Sequence, residues 1–323
     1  MNNNRLDLLL VNANSRDGVY GPLADLAAVE PPVWAGLIAR YCLDRGFTVA
    51  ILDAEAEGLD AKKTTNAIMM KNPRLVAFCV YGHQPSASTQ CLPAASAVAG
   101  NLRLFSDMTG LQRPATLALG THPSALPERT LREEPFDYVV QGEGPVTIAL
   151  LLAQGFGIPT PGSVLSIPGL WGNALPPWSG NTNIKDLDAE LPNQAWELLD
   201  LRRYRAHNWH LWTGDPAGGY ASVQTSLGCP FKCTFCCINA PFTVGGAAPR
   251  LRTWSPANVA AQIVQLKRDY NITNVKIPDE MFCLDRRHVR AICLELIDHG
   301  AGDWLNAWAY ARVDTVKDEA MLA

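Results

Sequence analysis

Cys229-Pro230-Phe231-Lys232-Cys233-Thr234-Phe235-Cys236 sets three cysteines at spacing C-x3-C-x2-C, just after the alternating run Tyr220-Ala221-Ser222-Val223-Gln224-Thr225. A strand feeding a short cysteine loop lets all three thiolates turn toward one centre, which suits an iron–sulfur cluster held by cysteine sulfur. Three ligands are informative in themselves. A 4Fe-4S cluster held by three cysteines leaves one iron open, where a substrate or cofactor can bind. A structural zinc site is the alternative, and it calls for four closed ligands, often two C-x2-C pairs. Cys237 could be counted as a fourth, but adjacent residues on one loop rarely reach the same tetrahedral metal, so it reads as a packing residue.

The chain has 323 residues, more than a usual single domain, which makes two domains the expectation. A hydrophobic content of 48% with 18% charged residues suits a globular protein with real cores. A net charge of −4 carries no basic footprint for nucleic acid. No apolar run approaches the ~20 residues of a membrane span. The polar start Met1-Asn2-Asn3-Asn4-Arg5, followed by a short run holding Asp7, argues against a signal peptide, so the expected compartment is the cytoplasm. Cys42, Cys79, Cys91, Cys283 and Cys293 lie scattered in apolar segments and read as buried thiols, not as a disulfide framework.

Residues 6–13 form a mostly apolar run of the kind buried on both faces of a parallel sheet. Further strands are predicted at Thr48–Asp53, Leu75–Tyr81, Ala115–Gly120 and Tyr138–Gln141. Helices are predicted at Val33–Arg45, Thr64–Lys71, Ser86–Leu104, Leu126–Glu133 and Val146–Gln154. This alternation predicts an α/β fold with a doubly wound, flavodoxin-like parallel sheet over residues 1–154. Ligands of such sheets bind outside the carboxyl ends of the strands. Those ends hold Asn12 and Ser15; Tyr81, Gly82 and His83; Gly120, Thr121 and His122; and Gly142, Glu143 and Gly144. Glycines let a ligand approach the backbone, and the small polar side chains offer hydrogen bonds. The G-x-G-x-x-G fingerprint is absent after the first strand, so nicotinamide binding gains no support.

Residues 155–219 cluster prolines, glycines and the tryptophans 171, 178, 196, 209 and 212, which reads as an ordered connector because so many aromatics need burial. Beyond the cysteines, Ser255-Pro256 supplies an N-cap and N1 proline for a helix running to about Tyr270. A strand Asn274–Pro278 ending in Asp279-Glu280, a helix Asp285–His299 closed by Gly300, and a strand Trp304–Arg312 follow. Over residues 220–323 this is β-α-β-α-β, the opening of a TIM-like (β/α) barrel. Such barrels place chemistry at the carboxyl ends of strands, here the cysteine loop, Asp279-Glu280, Tyr310 and Arg312. A solvated strand end is the plain alternative for the acidic pair, and a surface ion pair for Arg312.

The cysteine spacing, with Phe235 before the third cysteine, resembles the signature of radical SAM enzymes. Glu30-Pro31-Pro32, the run 118–124 and the run Asp137–Gly144 resemble the cobalamin-binding domain fused to many of them, and the Gly-Glu-Gly of 142–144 is the most specific part. Asp188–Pro192 and Trp196–Asp200 resemble the segment that links the two domains. The resemblance implies a 4Fe-4S cluster on Cys229, Cys233 and Cys236, with S-adenosylmethionine chelating the open iron through its amino and carboxylate groups. Phe235 would lie against the adenine, Asp279 or Glu280 would accept from the amino group, and Arg312 would meet the carboxylate. The strand-end residues, including Asn12, Ser15, Tyr81, Gly82, His83, Gly120, Thr121, His122, Gly142, Glu143 and Gly144, become the expected cobalamin contacts. D-x-H-x-x-G, whose histidine ligates cobalt in some cobalamin proteins, is absent; Asn14-Ser15-Arg16-Asp17-Gly18 holds no histidine, so a base-off cobalamin is expected. A sheet kept as a scaffold after loss of its cofactor is the alternative.

The implied activity is reductive cleavage of SAM to drive radical chemistry, foremost methyl transfer to an unactivated carbon, with ring-forming or oxidative reactions as variants. The implied partners are a small-molecule or peptide substrate and an electron donor such as flavodoxin or ferredoxin. A radical SAM core carries more βα units than the three strands read here, which predicts a fragment or a second chain completing the barrel. Rival readings are a radical SAM enzyme without cobalamin and a cobalamin- or metal-binding module without turnover.

Overall fold

The computed structural model describes residues 5–82, 88–155, 167–172, 182–206 and 219–316. Five strands, β1 (Leu8–Asn12), β2 (Val49–Asp53), β3 (Leu75–Val80), β4 (Ala115–Gly120) and β5 (Tyr138–Val140), pair in parallel. Their spatial order is β2-β1-β3-β4-β5, the flavodoxin-like doubly wound order. A sixth strand, β6 (Leu170–Gly172), adds antiparallel to β5 from the connector. It is too short, at three residues, to leave a periodic signature in sequence.

The apolar runs do what a two-sided strand requires. Leu8 and Leu10 of β1 belong to one core with α2 (Val33–Leu43) and α7 (Pro145–Ala153), while Leu9 and Val11 belong to a second core with α3 (Ala61–Lys71) and α4 (Ser88–Thr109). Three short helices lie beside them: α1 (Arg16–Tyr20), α5 (Thr121–Ala125) and α6 (Pro127–Glu133). α5 begins at Thr121, the residue after β4, so Thr121 and His122 stand on a helical turn and not in an open loop.

The first core does not stop at the first sheet. It continues through the connector, where α8 (Leu187–Glu190), Leu191, Ala195 and the fully buried Trp196 pack, into Tyr220, Val223, Trp254 and Ile263. The burial expected of the connector aromatics holds for Trp196, and Trp171 donates its Nε1–H to Gln141 Oε1 at 3.1 Å. Trp178, Trp209 and Trp212 lie outside the described residues.

The second sheet is β7 (Gly219–Ser222), β10 (Ile272–Ile277) and β11 (Asn306–Ala309), all parallel in the order β11-β10-β7. The crossover helices are α9 (Pro256–Tyr270) and α10 (Arg286–Asp298). Ser255 caps α9, accepting from Asn258 N–H at 3.2 Å, and Asp285 caps α10. A short antiparallel pair, β8 (Ser226–Leu227) with β9 (Arg252–Thr253), brackets the cysteine loop. β11 is shorter than Trp304–Arg312. Trp304 and Leu305 donate backwards to Ala301 O, and a new turn begins where Thr315 N–H reaches Arg312 O, so Tyr310 and Arg312 lie beyond the strand.

Gly120 shows how tightly the strand ends are held. Its φ is +136°, and a Cβ there would lie 2.0 Å from Val80 O on the neighbouring strand. Gly120→Ala is expected to lower unfolding free energy by about 3 kcal/mol or more, combining left-handed strain with overpacking. Gly18→Ala, which meets open space, should stay within about 0.5 kcal/mol in the same urea titration.

Candidate functional site between the two sheets

The carboxyl ends of β1, β3 and β4 face those of β7 and β10 across a cavity of about 140 Å³. From the first sheet Asn12, Ser15, Tyr81, Gly82 and Thr121 line it, joined by Glu30, Trp34, Glu55 and Cys91; from the second come Gln224, Asp279 and Glu280. Of the expected cobalamin contacts, then, five lie together on one wall. Tyr81 stacks on Trp34 with ring centroids 5.0 Å apart and planes 8° apart. Its buried hydroxyl has no hydrogen-bond partner, and neither does the buried Oε1 of Gln224 across the cavity. Buried polar atoms are nearly always satisfied, so two unpartnered ones on residues that line the same cavity stand out.

The other expected contacts are placed differently. His122 lies outside the cavity lining, with Nδ1 3.0 Å from Thr89 Oγ1 and its backbone N–H donating to Ser88 Oγ; burial holds its imidazole below the usual range. Gly120 and Gly144 are packing positions: a Cβ at Gly144 would lie 2.8 Å from Leu119 Cδ1. Gly142 exchanges hydrogen bonds with Ser124 Oγ through its N–H (3.1 Å) and carbonyl (3.3 Å). Glu143 is fully buried, ion-paired with Arg252 of β9 and accepting from Ile184 N–H at 3.0 Å, so it ties sheet, connector and hairpin together instead of facing the cavity. Burial pushes the Glu143 carboxyl up, and Arg252 opposes it. His83 lies outside the described residues.

The three motif cysteines line a second cavity of about 310 Å³ with Phe231, Lys232 and Asn239. Cys229 is buried, Cys236 partly buried and Cys233 exposed. Asn239 holds the loop in shape: its Oδ1 accepts Cys229 N–H at 3.1 Å, and its Nδ2 donates to Phe231 O at 2.9 Å. Among the described residues, no group of three His, Cys, Asp or Glu side chains closes on a single metal ion. A ring of three sulfur donors around one cavity fits a larger body such as a cluster. Cys237 lies next to this ring and outside both linings, and burial pushes its thiol up.

The acidic pair separates cleanly. Asp279 is buried and accepts from Thr225 N–H (2.9 Å), Thr225 Oγ1 (2.7 Å) and Ser226 Oγ, so both its oxygens serve the β7–β8 turn. Glu280 lines the cavity, its carboxyl pushed up by burial with the nearby Lys276 opposing. Phe235 is 90% exposed and lines neither cavity. Arg312 pairs with Asp314 (2.7 Å) and sets its guanidinium 4.4 Å from the Phe231 ring, beside the cysteine loop and away from the cavity between the sheets.

Several participants leave little trace in sequence. Lys276, 1% exposed and next to last in β10, pairs with Glu30 at 2.6 Å, and its ammonium lies 5.0 Å from the Tyr310 ring. Those partners are 246 residues apart, beyond any local pattern. Asp53 accepts from Asn12 Nδ2 (2.8 Å) and Tyr204 Oη (2.9 Å), fixing Asn12 where it lines the cavity. The Glu30-Pro31-Pro32 stretch was the one available signal, and all three residues line the cavity.

The B12 binding domain family matches residues 21–152. The chain is 27% identical over 295 residues to an uncharacterized methyltransferase of Pyrococcus horikoshii, covering 91% of this chain and 58% of that one. It is also 27% identical over 273 residues to the anaerobic magnesium-protoporphyrin IX monomethyl ester cyclase of Synechocystis, covering 83% and 48%. The chain thus spans about half the length of the curated relatives it matches. In fold it is similar to the radical S-adenosylmethionine methyltransferase TsrM of Kitasatospora setae, with TM-score 0.60 and 20% identity, covering 94% of this chain and 54% of that one. It is likewise similar to the cobalamin-dependent S-adenosylmethionine radical enzyme OxsB, with TM-score 0.65 and 15% identity, covering 98% and 40%. The family match bears out the resemblance in the cobalamin-binding domain, and the fold likenesses, to proteins that are themselves named as radical SAM enzymes, bear out the α/β architecture. No helix among the described residues is long and apolar enough to cross a membrane.

Burial lifts Asp279 and Asp53 alike, from 3.8 up to about 6. Between those values the folded chain holds more protons than the unfolded one. The stability these groups contribute is therefore full below 3.8, falls as pH rises through about 6, and is flat above. Asp279→Asn removes one such group. The wild-type advantage over this variant should shrink by about 2–3 kcal/mol from about pH 4 to about pH 6, at about 1.4 kcal/mol per unit. Urea midpoints across that range measure it, and a constant difference would contradict the assignment.

Proposed function

We propose that this chain forms the cobalamin-binding domain (residues 1–154), the connector (155–219) and the first part of the barrel (220–323) of a cobalamin-dependent radical SAM enzyme. Its favoured reaction is methyl transfer to an unactivated carbon. The observation that carries this reading is the juxtaposition of a three-cysteine cavity with a cavity walled by the matched B12-binding domain, both at the carboxyl ends of the second sheet. The name of the Pyrococcus relative supports methyl transfer.

Cys229, Cys233 and Cys236 would hold the 4Fe-4S cluster, and Glu280 would accept from the SAM amino group. Ser15, Tyr81, Gly82 and Thr121 would contact the corrin from the first sheet, and Gln224 would face it from the second. When bound, these groups supply one-electron reduction of a sulfonium and a carrier for a methyl group. The chain's own part is to keep them on facing walls and to exclude water, through the apolar surfaces of Trp34, Ile238 and Phe242. An electron donor such as flavodoxin or ferredoxin, a reducing cytoplasm and a second chain or segment completing the barrel belong to the same reading. Ring formation is the second reading, favoured by an identity to the Synechocystis cyclase equal to that to the methyltransferase.

Anaerobic reconstitution of the full chain with iron, sulfide and hydroxocobalamin tests the proposal. The expected result is an EPR signal of a reduced cluster that SAM perturbs, together with stoichiometric corrin. Replacing Cys229, Cys233 and Cys236 together by alanine should abolish the cluster; a cluster that survives would falsify the assignment. A cluster without corrin would favour a radical SAM enzyme that does not use cobalamin. Glu280→Gln should leave the cluster intact and weaken SAM binding by about tenfold or more, the worth of one charge-assisted hydrogen bond. Equilibrium dialysis with labelled SAM reads this, and unchanged binding would remove Glu280 from the site.

A further inference from the structure

The cavity of the three cysteines and the cavity between the sheets are separate spaces that share one wall. Among the described residues, Ile238 alone lines both. Its neighbours divide between the two sides: Asn239 and Thr243 line the cysteine cavity, and Phe242 lines the cavity between the sheets. Ile238 is partly buried but belongs to neither hydrophobic core. Its apolar surface therefore serves the two cavities and not the packing of the sheets.

The turn that carries Ile238 is held from both directions. Ala240 N–H donates to Cys237 O at 2.9 Å, and the Phe242 and Thr243 N–H groups donate to Asn239 O at 2.9 and 3.0 Å. The Asn239 side chain bonds Cys229 N–H and Phe231 O in the cysteine loop. On the other side the Phe242 ring lies 6.1 Å from that of Trp34, which stacks on Tyr81 at the end of β3. A β-branched side chain is stiff at χ1. On a turn anchored twice, it makes a divider of fixed width. Glu280 lies beyond that divider from the cysteines, lining the cavity between the sheets and not theirs.

We propose that Ile238 is a specificity-determining residue, the apolar threshold over which a ligand coordinated at the three-cysteine site must lie to reach Glu280. The inference rests on the reading above, in which SAM makes both contacts. The Ile238 side chain packs against the aliphatic part of that ligand, and its bulk sets the room between the metal end and the Glu280 end. It takes no part in holding a cluster. Its size therefore matters to a ligand that spans both cavities and not to one confined to the first.

The test compares two probes on the anaerobically reconstituted full chain: labelled SAM, which spans both cavities, and cyanide, which coordinates an open iron from within the cysteine cavity. Equilibrium dialysis reads SAM binding, and EPR of the reduced cluster reads both probes, at matched iron and sulfide content. Ile238→Phe overpacks the divider and should weaken SAM binding about tenfold or more while leaving cyanide binding unchanged. Ile238→Ala adds no bulk, so it reports even where the larger side chain disturbs the loop. Loss of its apolar contact should weaken SAM binding about fourfold or more, the worth of one buried methylene, again with cyanide binding unchanged. Ile238→Leu, which conserves volume, should fall between wild type and Ile238→Ala. SAM binding equal in all four proteins, or SAM and cyanide binding weakened together, would overturn the proposal. A wild type that forms no cluster, or that binds cyanide but not SAM, overturns the underlying reading and the proposal with it, an outcome visible without any variant.

Discussion

Two buried ion pairs join the sheets, and the site depends on them. Glu143–Arg252 anchors the hairpin that carries the cysteine loop to the end of β5, and Glu30–Lys276 anchors the interior of β10 to the loop before α2. Removing such charges from water costs several kcal/mol per ion, and the mutual attraction roughly repays it only when geometry is good. Their net contribution to stability is therefore small, whereas separating either pair strands a buried charge. The consequence is positional. Both pairs are made in the arrangement that sets the carboxyl ends of β3 and β4 opposite those of β7 and β10.

That facing arrangement explains the chemistry of the cavity walls. Glu30 spends its charge on Lys276, Asp53 on Asn12 and Tyr204, and Asp279 on Thr225 and Ser226. Each of these carboxylates shapes a loop at the rim. Glu280 is different: it lines the same cavity, half-exposed, with Lys276 acting on it only through its field. The polar atoms that remain for a ligand, Tyr81 Oη, Gln224 Oε1 and the Glu280 carboxylate, come from three strand ends in two sheets. A ligand that satisfied all three would have to span both sheets.

The strands were legible because a two-sided parallel strand needs a continuous apolar run, and Leu8–Val11 and Leu75–Val80 are such runs. Helix starts were legible where chemistry is local, as at Ser255-Pro256, whose cap forms as the side chains require. The cysteine loop was legible for the same reason: its three sulfurs are neighbours in sequence as well as in space. What sequence could not separate was a strand-end residue that faces the ligand from one that faces the protein. Glu143 and Tyr81 both follow the carboxyl ends of strands in the first sheet, yet one is buried against Arg252 and the other lines the cavity. That choice depends on Arg252, more than a hundred residues away, and no local pattern encodes it.

Arg312 shows how a contact can be right in neighbourhood and different in kind. The family resemblance implied a cation near the end of the third strand that would meet the SAM carboxylate. The strand stops at Ala309, and the residues beyond it carry the guanidinium to the Phe231 ring, 4.4 Å from its centroid. Asp314 neutralises it on the outer side. Phe231 lies between Cys229 and Cys233, so the end of β11 and the cysteine loop are packed as one unit. The position of the loop is thus set from two directions: by Asn239 within the hairpin, and by Arg312 arriving from the third strand of the barrel.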